Sequence, residues 1–167
     1  MISLISGLSV LAKEANNYVE AHYNKEEVYI PMRDGVKLYT AIYTPKSEGK
    51  HPIMMKRTCY SIRPYGQDQF PGQLGPSKYL MEDEFIFVYQ DVRGRWMSEG
   101  DFTNMTPNIP GNKHKKTTDE SSDTYDTIDW LLKYLKGKTN AKVGQWGISL
   151  LYKSDAADEL LCVKLRG

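Results

Sequence analysis

The sequence predicts an α/β protein built on a mixed, mostly parallel sheet with an antiparallel hairpin at its leading edge. Three observations carry that expectation. Residues 26–31 (EEVYIP) and 36–44 (VKLYTAIYT) are β-rich, alternate in polarity and flank the turn signal Arg33-Asp34-Gly35, which reads as a hairpin. The runs IMMKRTCY and FIFVYQDV are short, apolar and bounded by turn residues, as expected for strands covered on both faces of a parallel sheet. Finally, one amphipathic helix is followed closely by a last short strand, AKVGQWG. A hairpin followed by strands alternating with a helix makes an α/β sheet.

Taken in order, the hairpin strands lead into the loop PKSEGKHP, and His51 opens a third strand expected near 52–58. The stretch SIRPYGQDQFPGQLGPSKYLMEDE is rich in Pro, Gly and Gln and holds only a short helix, near Lys78–Glu82. A strand near 85–91 follows. Residues 93–122 are a long polar excursion, which in a compact domain usually serves function. Asp123 to Lys136 then reads as a helix. Ile128, Leu131, Leu132 and Leu135 recur at i, i+3, i+4 and i+7 and line one face. Ser121 or Ser122 is placed to cap it, Asp123 and Asp126 suit its positive first turn, and Gly137 stops it. The last strand is expected near 141–146. Neither an internal repeat nor a linker is visible.

Composition narrows the function classes. A length of 167 residues suits one domain with a buried core, and a net charge of +1 makes no case for nucleic acid or an anionic membrane as partner. The short basic run Lys113, His114, Lys115, Lys116 reads as a solvated loop. Cys59 and Cys162 make neither a disulfide framework nor a metal site, and no cofactor is expected. The opening MISLISGLSVLAKEA is apolar but too short to span a bilayer. Small residues at Val10 and Ala12 suit cleavage after Ala12 or Ala15, although no Lys or Arg precedes the apolar run. Residues 1–15 are therefore read as a clipped signal peptide of an exported protein. A short amphipathic helix packed on the domain of a cytoplasmic protein is the alternative.

The segment KVGQWGISLLYKS raises the question of chemistry. Gly147-Ile148-Ser149 follows the last strand directly, the context of a strand-to-helix elbow that exposes a nucleophilic serine. Leu151, however, stands where the second glycine of G-x-S-x-G belongs. A serine hydroxyl is a poor nucleophile until a base takes its proton and donors stabilise the oxyanion. Read alone the signal is weak, since a G-x-S in a turn is an ordinary turn serine more often than not.

Five segments occur together in one family's order: YIPMRDGVKLYTAIYTP, RTCY, FVYQDVRGRWMSEGDF, DTYDTIDWL and KVGQWGIS. Over roughly Lys25 to Ser149 the chain resembles the X-Pro dipeptidyl-peptidase-like α/β hydrolases, which include cocaine esterases, glutaryl-7-aminocephalosporanic acid acylases and α-amino acid ester hydrolases. The resemblance implies the N-terminal part of an α/β-hydrolase fold, with residues 25–150 as a partial hydrolase domain. It implies Ser149 as acyl-forming nucleophile, the backbone N–H of Leu150 as one oxyanion donor and the Tyr60 hydroxyl as the other. Without it, Tyr60 would read as a strand-end aromatic packed on the sheet. Asp91, Arg93, Glu99 and Asp101 are read as shaping their loop by ion pairing and hydrogen bonding. Asp123 and Asp126 are accounted for by the helix start. The implied substrate is a small ester or amide, or a short peptide.

The chain departs from the family in two places. The family continues from its serine as S-Y-x-G into a long helix, whereas here Leu-Leu-Tyr-Lys follows and residues 151–167 end in SDAADELLCVKLRG, which is unlike the family. In this fold the triad runs Ser, then Asp or Glu, then His, but His22, His51 and His114 all precede Ser149. The expectation is a family nucleophile in a truncated, poorly active copy, with a non-catalytic α/β module or pseudogene product as the alternative. A nucleotide-binding reading through Gly144 and Gly147 lacks both G-x-G-x-x-G and a P-loop lysine. Ser61, Ile62 and Arg63 follow Tyr60, so the aspartate that helps amino-ester hydrolases hold an ammonium is not there. The acyl class and the oligomeric state stay open.

Overall fold

Arg33, Asp34 and Gly35 turn the chain between β1 (Tyr23–Pro31) and β2 (Lys37–Pro45), which pair antiparallel from Tyr23↔Pro45 to Pro31↔Lys37. Gly35 takes a φ of 93°, a conformation that suits glycine, and Asp34 Oδ1 accepts the Val36 N–H at 3.1 Å. The computed structural model describes residues 18–104, 106 and 118–147. Within them β3 (His51–Thr58), α1 (Lys78–Glu82), β4 (Ile86–Asp91), α2 (Glu120–Tyr134) and β5 (Thr139–Gln145) follow the hairpin. All five expected strands and both expected helices are present. Residues 1–15, read as a signal peptide, and the tail 151–167 lie outside the described residues.

The strands form one sheet in the order β1-β2-β4-β3-β5. β2 pairs antiparallel with β4, while β3 runs parallel to β4 on one side and to β5 on the other. Each face carries its own apolar cluster. On one face Ile42, Ile53, Met55 and Val88 meet Leu131 and Leu135 of α2, with Ile128 and Leu132 partly buried against them. This is the face the 3.6-residue spacing called for. On the other face Tyr23, Tyr43 and Phe87 pack on Ile62, Leu74 and Met81, which come from the 60–77 segment and α1. β4 is buried on both faces as expected. β3 alternates instead, with Met54 and Lys56 half-buried, so its side away from α2 is only partly covered.

The start of α2 corrects the sequence reading. The helix begins at Glu120, and its N-cap is Asp119, not Ser121 or Ser122. The Asp119 carboxylate accepts the Ser122 N–H at 2.7 Å, and Ser122 Oγ accepts the Asp119 N–H at 2.8 Å. A charged acceptor with a reciprocal partner three residues on offsets two unpaired helix donors, which a single serine cannot do. Asp126 consequently lies beyond the first turn. Leu135 caps the other end, and Gly137, with a φ of 96°, turns the chain towards β5. No helix among the described residues is long and apolar enough to cross a membrane.

Candidate active site

Parallel strands bring their carboxyl ends to one edge of a sheet, and there the connecting loops build sites. Met55 of β3 lies level with Gln145 of β5, and the Trp146 N–H donates to the Met55 carbonyl at 3.0 Å. Tyr60 therefore follows β3 at the same edge where Trp146 and Gly147 follow β5. Ser149 and Leu150 themselves lie outside the described residues. Tyr60 is described, and it is 63% exposed, not packed on the sheet. Its N–H donates to Thr58 Oγ1 at 3.1 Å, which leaves the phenol free to project from the edge.

Two buried ions fix the loop that carries Tyr60. Asp91, the last residue of β4, is fully buried. It accepts the Ile62 N–H at 3.1 Å, the Tyr65 hydroxyl at 2.9 Å and the Met97 N–H at 3.4 Å. Burial pushes its pKa above the usual carboxylate range even though these three donors oppose the shift. From the far side of the loop, the Lys25 ammonium donates to the carbonyls of Pro64, Gly66 and Gln69, each at 2.8 Å, and pairs with Glu27 at 2.9 Å. Its side chain has no exposure at all. A lysine so deep is tolerable only with every donor satisfied, and here every donor is.

The loop after β4 folds back onto the same residues. Trp96 Nε1 donates to the Cys59 carbonyl at 2.9 Å and Arg95 Nε donates to it at 3.4 Å. Ser98 Oγ donates to the Asp91 carbonyl at 2.6 Å and accepts the Tyr39 N–H at 2.8 Å. Glu99 accepts the Lys37 N–H at 3.0 Å. Gly94 sits with a φ of 66°, and a Cβ there would run into the backbone of Phe102. The reading of Asp91, Arg93 and Glu99 as loop-shaping residues is met in each case.

Asp123 and Asp126 are engaged elsewhere. Arg93 bridges Asp123 at 2.7 Å and Asp34 at 2.8 Å, and Arg33 pairs with Asp126 at 2.8 Å. These pairs tie α2 to the hairpin turn and to the loop after β4. Asp101 lines a cavity of about 340 Å³ beside Asp34, Arg93 and Asp123. Neither described histidine lies at the Tyr60 edge. His51 opens β3, about 25 Å from its other end at the usual strand rise, and His22 precedes β1, stacked on Tyr18. His114 lies outside the described residues.

Sequence reasoning missed Lys25, Arg57 and the centrality of Asp91. Lys25 had a signal, since it shares the inward face with Tyr23 in an alternating strand. Arg57 is fully buried under α2, where Nη1 donates to Glu120 Oε2 at 3.0 Å and to Thr124 Oγ1 at 2.6 Å.

A leading antiparallel hairpin, parallel strands in the order β4-β3-β5 and a crossover helix connecting β4 to β5 define the N-terminal part of an α/β-hydrolase sheet. Within that class the chain matches the X-Pro dipeptidyl-peptidase (S15 family) over residues 34–152 and belongs to that family of hydrolases. It is 31% identical over 136 residues to the cocaine esterase of Rhodococcus sp. (strain MB1 Bresler), a match covering 80% of this chain and 21% of that protein. Among solved structures it is similar to an α-amino acid ester hydrolase, with a TM-score of 0.62 at 39% identity over 75% of this chain and 21% of that one. An aminopeptidase from the marine sediment archaeon Thaumarchaeota archaeon gives a TM-score of 0.63 at 38% identity, with the same coverage. The chain thus spans about a fifth of the length of these relatives.

Proposed function

We propose that the chain carries the nucleophile-bearing part of a serine hydrolase that cleaves ester or amide bonds of small acyl or short peptide substrates through an acyl-enzyme. Ser149 Oγ attacks the substrate carbonyl, and the charge that develops on its oxygen is met by the Leu150 N–H and the Tyr60 hydroxyl. The observation that supports this most is the parallel pairing of β3 with β5, because it brings the residues after both strands to one sheet edge. The exposed phenol of Tyr60 and the clamped backbone beneath it suit a preorganised donor.

In the 167-residue chain all three histidines precede Ser149, and His51 opens β3 at the opposite sheet edge from Tyr60. A serine without its base keeps only the residual rate that binding and the oxyanion donors supply. This placement also favours the second reading, a non-catalytic α/β module. Residues 1–15 are proposed as a signal peptide of an exported protein, and N-terminal sequencing of the mature chain checks that.

The test is hydrolysis of p-nitrophenyl acetate by the purified chain, by Ser149→Ala and by Tyr60→Phe. A trace rate lowered in both variants is expected. Removal of one oxyanion donor costs on the order of a hundredfold or more where it has been measured. A trace rate indifferent to Ser149→Ala would remove Ser149 from the chemistry and favour the non-catalytic reading. Esterase-like turnover lost in Ser149→Ala would mean that a group other than the three histidines serves as base.

A further inference from the structure

The backbone around Tyr60 presents two guanidinium groups, and neither has an ion-pair partner among the described residues. The guanidinium carbon of Arg63, which is exposed, lies over the Trp96 ring 5.5 Å from its centre, and that of Arg95 lies over the Phe102 ring 4.8 Å from its centre. Both belong to the same small structure. Trp96 Nε1 and Arg95 Nε donate to the carbonyl of Cys59, the residue before Tyr60. None of the acids in these two loops, the exposed Asp68 included, forms an ion pair with Arg63 or Arg95 among the described residues. Asp91 is buried beneath the segment on three hydrogen bonds, Glu99 accepts the Lys37 N–H, and Asp101 lines the cavity beside Asp34 and Arg93. The third arginine, Arg93, is consumed by Asp34 and Asp123. What remains at the Tyr60 rim is a pair of cations.

The ring contact matters to what such cations can do. A guanidinium held over an aromatic face is steadied by the ring while N–H groups turned away from it stay available, and its fork of donors matches the two oxygens of a carboxylate. We propose that Arg63, held over the Trp96 ring beside Tyr60 and seconded by Arg95, is a specificity-determining residue that recognises a carboxylate, so that the site takes esters or amides carrying a free carboxylate in preference to neutral or ammonium-bearing ones. This deepens the reading of Tyr60 as part of an acyl-transfer site and rests on it.

Binding, not turnover, tests the proposal on the full 167-residue chain. The probes are monomethyl succinate, its neutral counterpart methyl 4-oxopentanoate and the cationic methyl 4-aminobutanoate. Each is titrated while the indole N–H resonance of Trp96, assigned with Trp96→Phe, is followed by NMR. The expected result is that monomethyl succinate shifts that resonance and binds about tenfold more tightly than the neutral ester, as one charge-assisted hydrogen bond supplies. The preference should weaken with salt, vanish in Arg63→Gln and be reduced in Arg95→Gln, with the other indole resonances unmoved to show an intact fold. Equal affinity for the three esters, no shift with the anion, or a preference that survives Arg63→Gln would overturn the proposal. An inactive Ser149 does not affect this measurement. Hydrolysis of neutral esters without carboxylate preference would keep the hydrolase reading while refuting this one.

Discussion

At the scale of single residues, Asp91 holds together what Tyr60 needs. Its carboxylate takes N–H or O–H donors from Ile62, Tyr65 and Met97, so one side chain couples the Tyr60 segment to the loop after β4. Asp91→Ala strands those donors in the interior, and a loss of about 2–3 kcal/mol in denaturant unfolding is expected, with faster amide exchange at Ile62. The pH dependence has a sign that can be checked. Burial raises the folded pKa of Asp91, so its ionised form costs stability, a cost absent below the unfolded pKa of about 3.9 and complete above the raised folded value. Asp34 behaves oppositely. Burial, the largest single influence, would raise its pKa, but the Arg93 and Val36 hydrogen bonds and the Arg93 charge together outweigh that and lower it, so its contribution is present above about pH 4 and lost as pH falls through the depressed value. Stability measured from neutral to acid pH should therefore fall less steeply in Asp34→Asn and more steeply in Asp91→Asn than in the parent. The same slope in all three would refute the assignment.

Among the elements, α2 shows how much seating a crossover helix needs. Its apolar stripe is short, with Leu131 fully buried and Leu135 nearly so. The first half instead packs polar groups: Glu120, Ser122, Asp123, Thr124 and Thr127 are all buried. Ser122 is satisfied by the cap Asp119, and the others by Arg57, by Gln90 and by Arg93, which come from β3, β4 and the loop beyond. Breaking a buried ion network by removing one partner is costly, so Arg57→Met should destabilise by about 3–5 kcal/mol. Replacing the cap, Asp119→Ala, should cost about 1 kcal/mol. Thermal or chemical unfolding of both variants ranks the two effects, and a milder loss for Arg57→Met than for Asp119→Ala would mean that the network is dispensable. Gly94→Ala should also destabilise, since φ is left-handed there and the Phe102 backbone occupies the Cβ position.

For the whole molecule, the sheet's weak point is β5. Among the described residues it pairs only with β3, and Asn140, Ala141 and Lys142 are exposed along it. An edge strand with unpaired backbone donors is a template for a second chain. Expressed as these 167 residues without a fusion partner, the protein should associate at rising concentration, and a charge placed on this edge at an exposed position by Ala141→Lys should reduce that. Light scattering across a concentration series checks it. A monodisperse monomer with a sharp thermal transition would show that the edge is already covered.

The local order of this protein was legible in its sequence. Alternation marked the hairpin, unbroken apolar runs marked the interior strands, and the i, i+3, i+4, i+7 leucines marked α2, because each of these patterns depends only on neighbours in the chain. The five family-like segments carried the family, while their implication of Tyr60 and Ser149 as the site stays a proposal, with Ser149 outside the described residues. Where α2 starts was misjudged by a turn, since the choice between Asp119 and two adjacent serines depends on which side chain finds a reciprocal partner. Tertiary structure alone decided that Asp123 and Asp126 serve Arg93 and Arg33, that Lys25 reaches three carbonyls some forty residues away, and that Asp91 lies beneath Tyr60. Those pairings join residues that are distant in sequence. They are set by strand order and register, which bring charges from separate elements into a low-dielectric interior where each must find its partner.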